Sequence, residues 1–162
     1  MKKNKIVFLL FLSGTLLFSC EKEDIDQVKP DIDMSAMDAF PVACDTLYFG
    51  ENFTLKAVFT DNVELGSFNL DIHHNFDHHT HSTEVIECNL ADKKEPLNPY
   101  ILIQDFEIPE GSSSYEANLE ISLPSVNGDG KYDEGDYHFH INLVDKNGWS
   151  TPYGVGVKMM YR

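Results

Sequence analysis

Tyr137, Phe139, Ile141 and Leu143 alternate with His138, His140 and Asn142. That period of two makes the segment a strand with one apolar face, because a helix would scatter the same side chains around its circumference. The alternation recurs along the chain. Phe53, Leu55, Ala57 and Phe59 alternate with Thr54, Lys56, Val58 and Thr60, and Phe68, Leu70 and Ile72 with Asn69, Asp71 and His73. Tyr100, Leu102, Gln104 and Phe106 share one parity, as do Tyr115, Ala117, Leu119, Ile121 and Leu123, and a last strand is predicted over 154–161. Asn, Asp, Pro and Gly punctuate the gaps, as at Pro109-Glu110-Gly111 and Lys146-Asn147-Gly148. No long stretch has helical apolar spacing with caps. About seven short strands in residues 43–162 predict an all-β fold, an immunoglobulin-like antiparallel β-sandwich in one domain.

The N-terminus points to export. Residues 1–19 carry a basic start at Lys2, Lys3 and Lys5, followed by an apolar stretch too short to span a bilayer permanently. Leu17-Phe18-Ser19-Cys20 resembles the lipobox of bacterial lipoproteins, which implies a signal peptide over 1–19 and lipidation of Cys20. Residues 20–42 are acidic and lack periodicity, so they read as a flexible tether between an outer-membrane anchor and the domain. The acidic run after Cys20 resembles a surface-export signal, and a periplasm-facing spacer is the other reading.

Removing residues 1–19 takes away three Lys and no acid, leaving 9 basic against 27 acidic side chains, or −18 with His neutral. Such a surface repels phosphate backbones and excludes nucleic acid as a partner.

The chemistry of the chain lies in its histidines. Five of the nine residues from 73 to 81 are His, at 73, 74, 78, 79 and 81, with Asp77 among them, and the other two form the pair His138 and His140. Imidazole with an occasional carboxylate suits Zn²⁺ or Cu²⁺. In an immunoglobulin-like sandwich the strands near 67–74 and 136–144 belong to one sheet. Parity turns Asp71, His73, His138 and His140 away from the core. His73, His138 and His140 are therefore expected to meet on one outer face, joined by a ligand from Asp77, His78, His79 or His81. Asp71 would ligate or orient a ring. His74 has the parity of the apolar face and reads as a packed histidine. A solvated His-rich loop is the competing explanation.

Other chemistry is thinner. Residues 127–134 superficially resemble a calcium loop, but a tight β-hairpin explains them better and calcium there is not expected. Cys44 and Cys88 remain as an even pair in an oxidising compartment. A disulfide is the favoured reading, against free thiols or Cys88 as a soft metal ligand. No nucleophile motif and no Gly-rich phosphate loop is present, so the chain does not read as an enzyme. Copper–zinc superoxide dismutases share the sandwich and an outward H-x-H strand, but their motif order differs. Trp149, Tyr153 and Tyr161 offer an alternative function, an aromatic platform for a glycan or for an outer-membrane receptor or transporter.

The lipobox, the acidic tether, NLDIHHNFDHHTH and GDYHFHINLVDKNGWS together resemble a family of uncharacterised Bacteroidota lipoproteins with an immunoglobulin-like domain of unknown function. The resemblance covers most of the mature chain. It implies an all-β sandwich and no established activity.

Overall fold

In the computed structural model the described residues are 26–81, 83 and 88–162. The signal peptide expected over 1–19 and the lipidation expected at Cys20 lie outside them. Ten strands follow in order among the described residues: β1 (Asp31–Asp33), β2 (Thr46–Tyr48), β3 (Asn52–Thr60), β4 (Leu65–His74), β5 (Leu102–Glu107), β6 (Ser114–Ser122), β7 (Val126–Asn127), β8 (Gly130–Lys131), β9 (Gly135–Asp145) and β10 (Ser150–Met160). No helix occurs among the described residues. The six long strands are the periodic segments of the sequence. The four short ones have too few positions to display a period.

Two sheets face each other. One has the order β1-β3-β6, the other β2-β10-β9-β4-β5, and β7 and β8 form a small separate hairpin. β2 runs parallel to the end of β10, and the remaining pairs are antiparallel. Parity selects the core. Leu55 and Phe59 from β3, Leu70 and Ile72 from β4, and Tyr137, Phe139, Ile141 and Leu143 from β9 have no accessible surface. Phe68 lies between Phe59 and Phe106, with ring centroids at 5.0 and 4.9 Å. Each buried ring or aliphatic side chain stabilises the sandwich by about 1.5–3 kcal/mol relative to exposure. The Tyr137 hydroxyl donates to the carbonyl of Asp133 at 2.6 Å and accepts the Tyr100 amide at 3.2 Å. A tyrosine near the start of this strand, bonded a few residues upstream, is a hallmark of immunoglobulin-like sandwiches.

The segment expected to be a tether differs in its described part. Asp31, Ile32 and Asp33 pair with Thr60, Phe59 and Val58, and Phe40 makes an isolated bridge to Lys56. Ile32, Met34 and Phe40 pack on the core, which is why this acidic stretch does not stay in solvent. The folded unit therefore begins well before residue 43.

Candidate metal centre

β4 and β9 pair so that His73 lies opposite His138 and Asp71 opposite His140. Their odd and even neighbours face the core, so all four side chains share the outer face. Strand pairing alone thus brings two histidines within reach, with ring centroids 5.2 Å apart.

The rest of the site comes from the loop after β4, which folds back over that face. The Asn75 amide donates to the Asp136 carbonyl, and His78 adopts φ 58°, a left-handed conformation that reverses the chain. Further along, Asp136 Oδ2 accepts the Ala91 amide at 2.7 Å. Cys88 is joined to Cys44 by a disulfide, beside Gly156 of β10. Pinned at both ends, the loop lays His79 and His81 over His138. His138 is consequently fully buried, although its parity points it away from the core.

Four imidazoles converge. One ring nitrogen each from His73, His79, His81 and His138 lie within 4.8 Å of one another. The Nε2 atoms of His73 and His81 are 3.3 Å apart. Two nitrogens about 2.0–2.1 Å from one tetrahedral zinc would be separated by about 3.3–3.4 Å. The rings of His79 and His81 lie 4.7 and 4.6 Å from that of His138, centroid to centroid.

Two carboxylates set the tautomers. Asp71 Oδ1 accepts from His73 Nδ1 at 2.8 Å, and Asp77 Oδ1 from His79 Nδ1 at 2.6 Å. An ionised carboxylate only accepts, so Nδ1 of each ring carries the proton and Nε2 of the neutral ring presents its lone pair. Carboxylate–histidine pairs of this kind orient ligands and raise their basicity in metal sites. His79 also holds Asp77 below the usual carboxylate range. Burial pushes His138 down to about 4, helped by the neighbouring His81, His79 and His73 rings. His140 is likewise pushed down to about 4 by burial and then by His81, His138 and His73, with Asp71 acting against them. Burial thus favours the neutral form of His138 and His140, the form of imidazole that ligates a cation.

The other expected residues have different places. His140 stands beside the group of four, its ring centroid 4.5 Å from that of His81. It borders a surface cleft of about 240 Å³ together with Asp71, His81, Thr83, Asn142 and Tyr153. His78 spends its position on the chain reversal and is not in the group. His74 packs on Phe76 at 4.8 Å. One contributor had no signature in the sequence. Gly154 is the register partner of His140, and a Cβ there would come within 2.5 Å of Thr83 Oγ1 and 2.7 Å of His140 Cδ2. Only glycine lets the ring and the loop lie flat on β10.

The calcium-like stretch at 127–134 is a hairpin of β7 and β8. Asn127 Oδ1 accepts from the Asp129 amide and from Asn98 Nδ2, and Asp133 Oδ2 from the amides of Leu97 and Asn98. The three aromatics form no single platform. Trp149 precedes β10 and Tyr161 follows it, about 40 Å apart at the strand rise of about 3.3 Å per residue. Trp149 Nε1 donates to the Asp26 carbonyl, and Tyr161 packs its ring on Phe49 at 5.1 Å.

No curated protein matches this chain. One family model does, over residues 18–160, taking in every strand of both sheets and every histidine. The chain belongs to that family, DUF4625, a domain of unknown function.

Proposed function

We propose that this protein is a lipid-anchored extracytoplasmic metal-binding protein. Its sandwich holds one divalent transition ion on His73, His79, His81 and His138. The observation that carries this reading is the convergence of four imidazoles from two strands and one loop, two of them held by carboxylates at Nδ1. All-nitrogen, four-coordinate ligation suits Zn²⁺ first and Cu²⁺ second. Four protein ligands close the coordination sphere, which suits storage, delivery or structural stabilisation more than hydrolysis. His140 and the adjacent cleft give a displaced ligand or an acceptor partner a route to His81.

The anchor rests on the sequence. The lipobox-like Leu17-Phe18-Ser19-Cys20 and the acidic stretch after it support attachment to the outer membrane, where a receptor or transporter would be the natural partner.

Native mass spectrometry of the zinc-loaded chain tests the reading. One tightly held ion per chain is expected, and the ion is lost from the His73→Ala/His138→Ala double variant. Several weakly held ions, retained by that variant, would replace the site with a solvated cluster.

A further inference from the structure

The molecule carries a second group of ligand atoms, made only of oxygen, at the other end of the same strands. Asp26 precedes β1, Asp61 sits in the turn between β3 and β4, and Asp145 closes β9. One carboxylate oxygen from each lies within 4.8 Å of the others. The group is about eight residues along β4 from His73, roughly 26 Å at the strand rise.

The acids themselves are ordinary turn residues on one side. Asp61 Oδ1 accepts the amides of Val63 and Glu64, and Asp145 Oδ1 accepts the amide of Trp149, all at 2.8 Å. Asp26 accepts from Val28 N and from the side-chain amides of Asn62 and Asn147. These three hydrogen bonds hold Asp26 below the usual carboxylate range. The second oxygens are different. Asp145 is 4 % exposed, and its Oδ2 is buried with no hydrogen-bond partner. Asp61 Oδ2 is buried and unpartnered as well. None of the ion pairs among the described residues involves any of the three acids.

Three close carboxylates, two of them with a buried and unpartnered oxygen, repel one another unless a cation sits between them. The geometry points to a calcium site formed by Asp26, Asp61 and Asp145. Oxygen-only donors select a hard cation, in contrast to the imidazoles at the far end of the sheet. Calcium accepts irregular oxygen sets completed by water, whereas magnesium demands a near-ideal octahedron. Bound there, the ion ties the segment entering β1 to the β3–β4 and β9–β10 turns. This site is independent of the transition-metal reading.

Trp149 is the only tryptophan, and its Nε1 donates to the Asp26 carbonyl, so its emission reports on the site. The detergent-solubilised full chain is titrated with Ca²⁺ while Trp149 fluorescence and the melting temperature are followed. A saturable response is expected, with a Kd in or below the range of about 10⁻⁴–10⁻³ M of extracellular calcium modules. The melting temperature should rise with Ca²⁺, and the response to Mg²⁺ should be at least about tenfold weaker, following the geometric demand above. Asp61→Asn and Asp145→Asn keep the turn-forming oxygen and should each weaken binding at least about tenfold, while His138→Ala leaves it unchanged. Should either Asn variant melt early in chelator, the wild-type response stands as the test. No fluorescence change and no stabilisation up to about 10 mM Ca²⁺ would overturn the site. An equal response to Mg²⁺, or unaltered affinity in folded Asp61→Asn, would overturn it too.

Discussion

Asp77 and His79 form a 2.6 Å hydrogen bond at the rim of the histidine cluster, and this exposed carboxylate fixes which nitrogen of a ligand ring carries the proton. Asp71 does the same for His73 from within β4.

Asp77→Ala is expected to weaken zinc binding by about 10- to 100-fold, the usual effect of removing an orienting partner, with little effect on folding. Its side chain is 69 % exposed, so no packing is lost. Competition against a chromophoric chelator measures the change. Unaltered affinity would mean that the carboxylate does not set the tautomer.

Acid should unfold the metal-free chain. His138 and His140 titrate near 4 in the fold, chiefly because they are buried, against about 6.5 when unfolded. The unfolded chain therefore binds protons that the folded chain refuses. Their contribution to stability is full above about 6.5 and is lost as pH falls toward 4. The urea midpoint should drop between about pH 7 and pH 4.5, and the drop should shrink in the His138→Gln/His140→Gln variant, which takes up no proton there. An equal drop in both proteins would contradict neutral buried rings.

The sandwich was legible from parity. The alternations in β3, β4 and β9 name the buried set Leu55, Phe59, Leu70, Ile72, Phe139 and Ile141 directly. Pairing of β4 with β9 follows from the sandwich topology, and it brings His73 to His138. The choice among the loop histidines was not legible. The path of the loop depends on a left-handed His78, on Asp136 capturing Ala91 and on the Cys44–Cys88 link, and none of these leaves a periodic signal. Nor was the Asp26, Asp61 and Asp145 group, whose members are separated by 35 and 84 positions and meet only through turns at one end of the sheets.

Cys44 and Cys88, 44 positions apart, close the long segment that contains the histidine loop. Replacing both by Ser should destabilise the chain by about 4 kcal/mol on the chain-entropy model. It should also weaken zinc binding, because the far end of the loop is released. Denaturant unfolding and zinc competition on the same variant check both effects. Undiminished zinc affinity would show that the loop is held without the link.

Cys20→Ala should leave the protein unlipidated and release it from the membrane fraction. The observation behind this expectation is the lipobox-like Leu17-Phe18-Ser19-Cys20. Membrane fractionation of the variant beside the parent checks it, and equal retention of the two would rule out an anchor at Cys20.

Calorimetric titration of Zn²⁺ into the wild type, His138→Ala and His140→Ala tests the four-imidazole centre most directly. His138 lies within the converging group and His140 beside it. One site per chain is predicted for the wild type. Affinity should fall at least about 100-fold in His138→Ala, the upper end of what losing even an orienting partner does, and by about tenfold or less in His140→Ala. Equal affinity in the wild type and His138→Ala would contradict a site built on the β4–β9 pair.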